Sequence, residues 1–209
     1  FLVSAQKDRE FKEILNNADL SLPDGIGLQI FGGIKNRVPG VDFMMSLCQL
    51  SAKNGWTIGL LGGQIGVAKE TGKRLKEKFP DIKIEIAADG RAADRIIEHY
   101  DVLRYFDILF VALGHPKQEK FLSRFRVISA KAGNCFKIGV GVGGSFDLIS
   151  KKIERAPKIL RTLGLEWFWR LTREPGRFKR ILKATVVFPF LNLFPVTGIY
   201  RKLFPRRDF

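Results

Sequence analysis

The sequence has few of the residues that most metal sites and nucleophilic triads require. It contains two cysteines and two histidines in 209 residues. Cys48 and Cys135 lie in apolar surroundings without a CxxC spacing, which predicts buried thiols in a reducing compartment and neither a disulfide framework nor a zinc knuckle. With only His99 and His115 available, zinc ligation by histidine and a Ser/His/Asp triad are both poorly supported.

The common phosphate-binding signatures are also missing, since no GxGxxG is found after a strand. The turn at residues 62–66, Gly-Gly-Gln-Ile-Gly, lacks the spacing of the dinucleotide fingerprint, and no Walker GK[ST] sequence occurs. No two aspartates stand as D-x-D, a pair that holds a divalent metal on a diphosphate. Any diphosphate must therefore be neutralised by arginines and helix dipoles, and we expect neither a metal nor another cofactor.

Positive charge is abundant and unevenly distributed. The net charge is +15, from 36 Lys/Arg and 21 Asp/Glu. Residues 151–209 contain 15 Lys/Arg and 4 Asp/Glu, a net charge of +11. Such a basic end indicates contact with nucleic acid, an anionic membrane surface or phosphorylated substrates.

The middle of the chain alternates apolar strands with amphipathic helices. Strands are predicted at 57–61, 82–87, 108–113 and 136–142, and helices at 41–54, 67–79, 92–104 and 117–131. Strands that are apolar on both faces predict a doubly wound, mostly parallel, Rossmann-like α/β sheet. We expect a nucleotide-sugar-binding catalytic domain at 1–153 and a helical, basic, membrane-facing appendage at 154–209.

The predicted carboxyl ends of the strands carry glycines and an aspartate. Ligands of such sheets bind beyond these ends, so a nucleotide pocket is expected there. The candidate binding residues are Gly62, Gly63, Asp89, Gly114 and Gly144. The alternative is that these glycines only make tight turns.

Both ends of the chain give further expectations. A helix is predicted over residues 2–15, whose charges argue against a signal peptide, and the start at Phe1 suggests a trimmed N-terminus. A short strand is predicted over 18–22 and a helix over 158–172, and Glu174-Pro175 is predicted to begin another helix. Residues 181–200 are apolar but interrupted by Pro189 and Pro195, whereas a spanning helix needs about 20 apolar residues. An interfacial anchor is expected, or else an arm packed on the domain or on a partner subunit.

Six short motifs occur in a fixed order along the chain: Pro23-Asp24-Gly25-Ile26-Gly27, Arg37-Val38-Pro39-Gly40, Leu113 to Glu119, Val142 to Asp147, Arg155-Ala156-Pro157, and Gly164 to Leu171. Together they resemble the WecG/TagA/CpsF glycosyltransferases over nearly the whole chain, to about residue 180. The resemblance implies a bacterial, inverting, metal-independent enzyme. Such an enzyme moves a sugar, commonly N-acetylmannosamine, from UDP to a polyprenyl-diphosphate-linked sugar at the cytoplasmic face of the membrane.

The resemblance also implies roles for individual residues. Asp24 would be the general base, with a plain turn or cap residue as the alternative. Arg170, Arg177 and Arg180 would stabilise the charge on departing UDP, with a solvated basic face as the alternative. The remaining expected substrate contacts are Arg37, Gln118, Glu119, Asp147 and Arg155, and Glu119 is also expected either to orient Gln118 or to cap the turn. Without the resemblance, Gln118 and Asp147 would be interpreted as helix caps.

Two other classes of protein compete with this interpretation. A nucleotide-cofactor oxidoreductase could use the same sheet, and a non-catalytic binder of lipid or nucleic acid could use the basic end. The segment between Gly27 and Arg37 is short for the family, and the strand expected before Phe1 is absent. An oligomer of identical chains is a further possibility, whereas nucleic acid is not an expected partner.

Overall fold

The computed structural model describes residues 1–25, 27–29, 35–93, 95, 105–131, 133 and 136–173. The chain forms two compact units. Phe1–Pro39 and Arg155–Phe209 make up the first, which we call the terminal unit, and Gly40–Glu154 make up the second, which we call the sheet unit. The functional division of the sequence into 1–153 and 154–209 remains a prediction.

The elements follow the alternation that the sequence predicts. In chain order they are α1 Leu2–Ala5, α2 Arg9–Asn16, α3 Gly40–Asn54, β1 Thr57–Gly62, α4 Val67–Lys78, β2 Lys83–Ala88, β3 Phe106–Ala112, α5 Lys117–Lys131, β4 Phe136–Gly141, α6 Ser145–Ile149, α7 Lys158–Thr162 and α8 Glu166–Arg173. Each of the four strands lies within two residues of its predicted position. Most of the helix predicted over 92–104 falls outside the described residues.

Within the described part of the chain, the four strands form one sheet in the order β2-β1-β3-β4, and each neighbouring pair is parallel. Alternate residues of the central strands enter two separate cores. Ile58 and Phe110 belong to a core that includes residues of α3, α4 and α6, whereas Leu61 and Val111 belong to a core that includes residues of α5. The sheet is therefore covered on both faces, which confirms the predicted Rossmann-like α/β architecture.

Phe125 of α5 shows how one of these cores is packed. Its ring is fully buried and stacks at 5.5 Å on Phe121 of the same helix and at 5.5 Å on Phe136 of β4. Burial of one such side chain stabilises a fold by about 1.5–3 kcal/mol. This stack packs the middle of α5 against the sheet.

The strand order identifies where a ligand crevice is expected. The chain runs from β1 to β2 on one side of the sheet and then crosses to β3 on the other side of β1. The helix that follows β1 contributes to one core, and the helix that follows β3 contributes to the other. In doubly wound sheets the crevice opens beyond the carboxyl ends of the two strands where the order reverses, which here are β1 and β3.

The first helix predicted from the sequence is divided in two. A single helix was expected over residues 2–15, but α1 ends at Ala5 and α2 begins at Arg9. Asp8 has an extended backbone, and its carboxylate accepts a hydrogen bond from the Phe11 N–H at 2.9 Å. An aspartate in this role caps a helix start, so it begins a second helix instead of continuing the first.

The strand predicted over residues 18–22 is wrong. These residues do not form a strand, and Leu20 is exposed. Pro23 is held instead by a loop contact, since its carbonyl accepts a hydrogen bond from the Val38 N–H at 2.9 Å. The alternation of polar and apolar residues here does not reflect a buried strand face.

The helix predicted over 158–172 is also divided, into α7 and α8. Gly164 has φ +72° between them. The Leu165 N–H donates to the Leu160 carbonyl at 2.8 Å and the Gly164 N–H donates to the Arg161 carbonyl at 3.1 Å. This pair of bonds is a Schellman motif, which ends a helix because its left-handed residue turns the chain away.

No helix in the described part of the chain is both long enough and apolar enough to cross a bilayer. The apolar segment at 181–200 and the helix expected after Pro175 lie outside the described residues, so the anchor remains a prediction.

Candidate functional site at the carboxyl edge of the sheet

Backbone hydrogen bonds join the turns that follow three neighbouring strands. The Gly63 N–H donates to the carbonyl of Ala112, at the end of β3, at 2.9 Å. The Gly63 carbonyl accepts from the Gly90 N–H, in the turn after β2, at 3.1 Å. The structure thus brings together Gly62, Gly63, Asp89 and Gly114 at one edge of the sheet, as the strand ends imply.

Glycine occupies positions 62 and 114 at this edge for different physical reasons. A Cβ on Gly62 would lie 2.5 Å from the backbone carbon of Ala112, so packing between two strands requires this glycine. Gly114 has φ +74°, and a Cβ there would meet no atom within 4 Å. Of these two, Gly114 leaves open space beside the turn that begins α5, whereas Gly62 is fixed by the fold.

The Asp89 carboxylate is already engaged by the next turn. It accepts hydrogen bonds from the Arg91 backbone N–H at 2.9 Å and from the guanidinium Nη2 at 3.0 Å. These bonds, with the side-chain bond first, hold the pKa of Asp89 below its usual value. The largely exposed Arg91 was missed in the sequence, although Asp-Gly-Arg after a strand is the signal that places a cation there.

The glycine-rich end of β4 accommodates a helix. Gly139, Gly141 and Gly144 have the G-x-G-x-x-G spacing, although no such fingerprint was predicted from the sequence. Gly139 and Gly141 lie within β4, where a Cβ would meet Leu122 at 2.8 Å and Gln118 at 2.7 Å, respectively. In the dinucleotide fingerprint the glycines form the turn after the strand, so this spacing serves close helix–strand packing here.

Gln118 and Glu119 occupy the first turn of α5. Gln118 is buried, and its amide oxygen accepts a hydrogen bond from the Gly143 N–H at 3.0 Å. Its amide nitrogen donates to Glu119 Oε1 at 2.6 Å. Gly144 and the half-buried Asp147 follow Gly143 at the start of α6. Substrate contact by these residues stays a prediction.

Asp24 and Arg37 belong to the terminal unit. Asp24 is exposed, and the next residue is fixed in a turn by a hydrogen bond from the Leu28 N–H to the Gly25 carbonyl at 3.0 Å. The Arg37 guanidinium donates to the Arg161 carbonyl of α7 at 3.0 Å. This bond attaches the segment after Asp24 to the C-terminal helices.

The described arginines of the appendage also lie in the terminal unit. Arg155 is half-buried. On α8, Arg170 Nη2 lies 3.7 Å from Oε1 of Glu166, one helical turn earlier. Arg173 lies over the Trp169 ring at 4.9 Å from its centroid. Arg177 and Arg180 lie outside the described residues, so their predicted roles stay untested.

The chain matches a known family over almost its full length. The model of the glycosyl transferase WecG/TagA/CpsF family matches residues 1–198. The chain belongs to this family. It is therefore a glycosyltransferase, which confirms the resemblance and decides against the oxidoreductase and the non-catalytic binder.

Two curated relatives are similar to most of the chain. A protein of Bacillus subtilis is 36% identical over 185 residues, which cover 86% of this chain and 70% of the relative. A protein of Bacillus spizizenii is 33% identical over 184 residues, which cover 85% of this chain and 70% of the relative. Both are named N-acetylglucosaminyldiphosphoundecaprenol N-acetyl-beta-D-mannosaminyltransferase.

Within the described residues, no group of three or more His, Cys, Asp or Glu side chains could hold a metal ion. The metal independence expected of the enzyme remains a prediction.

Proposed function

We propose that this glycosyltransferase moves N-acetylmannosamine from UDP to an N-acetylglucosamine carried on a polyprenyl diphosphate. The observation that carries the proposal is the similarity to two mannosaminyltransferases over more than four-fifths of the chain. The crevice expected at the switch point between β1 and β3 supports a nucleotide donor. The Arg91 guanidinium in the turn after β2 is a cation at the same edge of the sheet.

The proposed reaction is a single displacement. An acceptor hydroxyl oxygen attacks the anomeric carbon, and the bond from that carbon to the UDP oxygen breaks with both electrons leaving on UDP. Asp24 takes the proton of the hydroxyl. Because attack and departure occur on opposite faces, the configuration at the anomeric carbon inverts.

The exposed position of Asp24 directly before a turn supports its role as the base. Asp24→Asn removes the proton acceptor while preserving the shape of the side chain. General base catalysis contributes about 10²–10⁴-fold, so turnover should fall by that factor while UDP-sugar affinity is retained. Asp19→Asn, another exposed aspartate of the same segment, is the matched control and should retain wild-type turnover.

A direct assay tests the donor and the acceptor. The protein is incubated with UDP-N-acetylmannosamine or UDP-N-acetylglucosamine and a polyprenyl-diphosphate-linked N-acetylglucosamine, and products are followed by mass spectrometry with and without EDTA. We expect transfer from the first donor, unaffected by EDTA. Transfer from UDP-N-acetylglucosamine alone would refute the proposed donor, and loss of transfer in EDTA would refute metal independence.

Arginines are proposed to stabilise the charge that develops on departing UDP. Arg170 is supported by its position on α8, where an ion pair with Glu166 restricts its guanidinium. Arg177 and Arg180 are proposed for the same role and Arg155 for substrate binding, from their family motifs alone. Arg170→Lys keeps the charge but loses the planar fork, so it should retain only part of the turnover.

The enzyme is further proposed to work at an anionic membrane surface, the cytoplasmic face in a bacterium. Ile159 on α7 and Leu163, which directly follows α7, are 73% and 62% exposed, and the cations Lys158 and Arg161 lie close to them in the sequence. Exposed apolar side chains beside cations are typical of interfacial helices. Homo-oligomerisation through the same side chains is the competing use of this surface.

Flotation with anionic vesicles tests the membrane surface. The double variant Ile159→Glu/Leu163→Glu should lose vesicle binding, while Val127→Glu, at a 59% exposed valine of α5, should retain it. Unchanged flotation of the double variant would exclude α7 from the membrane surface. A change of oligomeric state without any change in flotation would favour an interface between copies.

A further inference from the structure

A buried glutamine joins the first turn of α5 to the end of β4. Only 2% of Gln118 is exposed, and both polar atoms of its amide have partners. The oxygen accepts the Gly143 N–H at 3.0 Å, and the nitrogen donates to Glu119 Oε1 at 2.6 Å. Because a buried amide without partners is destabilising, this chain of two bonds accounts for a polar side chain in this position. We call the chain the α5–β4 clasp.

The carboxylate of Glu119 determines which way the amide of Gln118 points. The Gly143 N–H can only donate, and an ionised carboxylate can only accept. The amide must therefore turn its oxygen to Gly143 and its nitrogen to Glu119, since the flipped orientation would oppose donor to donor and acceptor to acceptor. Glu119 thus acts on Gly143 through Gln118.

The sequence of β4 leaves room for the clasp. A Cβ on Gly141 would lie 2.7 Å from Gln118 Nε2 and 3.1 Å from Glu119 Oε1. Any side chain at position 141 would displace the amide from its partners. The second glycine of the run is therefore required by the clasp.

The clasp and the sheet together fix two consecutive peptide groups. The Val142 N–H donates to the Val111 carbonyl of β3 at 2.9 Å, and the next N–H, of Gly143, donates to Gln118. Gly143 has φ +51°, so the chain turns sharply directly after these two bonds. The turn into Gly144 and Asp147 therefore starts from a fixed position.

We infer that Gln118 and Glu119 are positioning residues of the glycosyltransferase, which hold the turn after β4 in place for the donor. The inference rests on the proposed binding of a UDP-sugar at the carboxyl edge of the sheet. It differs from the expectation of direct substrate contact, because the amide of Gln118 is buried and both of its polar atoms are bonded to the protein. A direct contact would require the amide to exchange these partners for the substrate.

Exchanging the amide of residue 118 and the carboxylate of residue 119 distinguishes a positioning role of Gln118 from direct contact with the substrate. In Gln118→Glu two carboxylates oppose each other, and donor affinity and turnover should each fall about tenfold or more. In the double variant Gln118→Glu/Glu119→Gln, the carboxylate at 118 accepts from Gly143 and from the new amide at 119, so both should return to within about threefold of wild type. If Gln118 instead contacts the anionic diphosphate, the carboxylate at 118 repels it, and the double variant stays as impaired as Gln118→Glu.

Gln49→Glu is the matched control. Gln49 is exposed on α3, so this variant adds the same charge to the sheet unit outside the clasp and outside the turns that follow the strands. Its turnover should remain within about threefold of wild type. An equal loss in Gln49→Glu and Gln118→Glu would assign the effect to added negative charge and overturn the inference.

A measurement without substrate separates failure of this inference from failure of the proposed function. Hydrogen exchange at the Gly143 N–H should be slow in the wild type, at least about tenfold faster in Gln118→Glu, and slow again in the double variant. Glu119→Gln keeps an acceptor oxygen, so the rate of exchange at the Gly143 N–H should increase by a smaller factor. This variant provides the measurement if Gln118→Glu does not fold. Exchange that is unchanged in both single variants would overturn the clasp even if transfer from UDP-sugars is observed. Exchange that follows this pattern without such transfer would retain the clasp and refute only its role toward the donor.

Discussion

Replacing Gly62 with alanine should destabilise the sheet unit through a collision with backbone atoms. The new Cβ would lie 2.5, 2.6 and 2.8 Å from the carbonyl carbon, the oxygen and the nitrogen of Ala112. Ala112 is paired with Gly62 in the register of β1 and β3, so these atoms cannot rotate away as the end of a side chain could. Overpacking of this kind costs about 1–3 kcal/mol.

The backbone conformation adds a second cost. Gly62 has φ +122°, in the range that residues with a Cβ rarely adopt. Such a conformation costs about 1–2 kcal/mol, so the free energy of unfolding should fall by about 2–5 kcal/mol in total. Each kcal/mol corresponds to a decrease in Tm of about 2–4 °C for a chain of this length.

Gly66→Ala separates the two costs. Gly66 has φ +82°, but a Cβ there would meet no atom within 4 Å. This variant should show only the conformational cost of about 1–2 kcal/mol. Urea unfolding followed by circular dichroism measures both variants. Equal losses of stability would show that the close approach of β1 and β3 contributes nothing and would refute the packing argument.

Two further predictions concern titratable groups of the sheet unit. The Asp107 carboxylate accepts from the Thr57 N–H at 2.9 Å and from Lys137 Nζ at 3.0 Å, and these bonds lower its pKa. The carboxylate of Asp107 therefore contributes to stability above its unfolded pKa of about 3.9, and this contribution is lost as the pH falls toward the lower folded pKa. In Asp107→Asn, stability should fall less steeply with pH below about pH 5 than in the wild type. Parallel stability curves for variant and wild type would contradict this. Burial raises the pKa of the Cys48 thiol to about 12, so at pH 8 the folded protein has almost no reactive Cys48 thiolate. In the variant Cys135→Ser, iodoacetamide at pH 8 should therefore label Cys48 only when urea unfolds the protein. Rapid labelling of the native protein would show that Cys48 is accessible.

The strands of the sheet unit could be predicted because their signal is local. A run such as residues 108–113 is apolar on both faces, and only a strand covered on both sides buries it fully. The local pattern was misleading at residues 18–22, where the alternation lacks a buried face, and at Gly164, where one left-handed residue ends α7. Local patterns do not report which neighbour covers a segment.

The candidate site shows the same limit. The strand ends placed Gly62, Asp89 and Gln118 near a ligand edge, but the sequence did not show that each has a partner within the protein. Asp89 is bonded to Arg91, Gly62 lies against the backbone of Ala112, and Gln118 is bonded to Gly143. The bond between Asp89 and Arg91 spans two residues and could have been found as a turn that an aspartate side chain closes. The other two contacts join segments 25 or more residues apart.

The sequence by itself determined the α/β alternation, the basic C-terminal end and the family, because apolar runs, charges and ordered motifs are properties of the chain as written. Only the tertiary structure decided the strand order β2-β1-β3-β4 and therefore where the crevice is expected. It also decided that Gly141 makes room for Gln118 and that Glu119 orients its amide. The physical reason is that packing and hydrogen bonding depend on which distant segments become neighbours, and no local pattern specifies them.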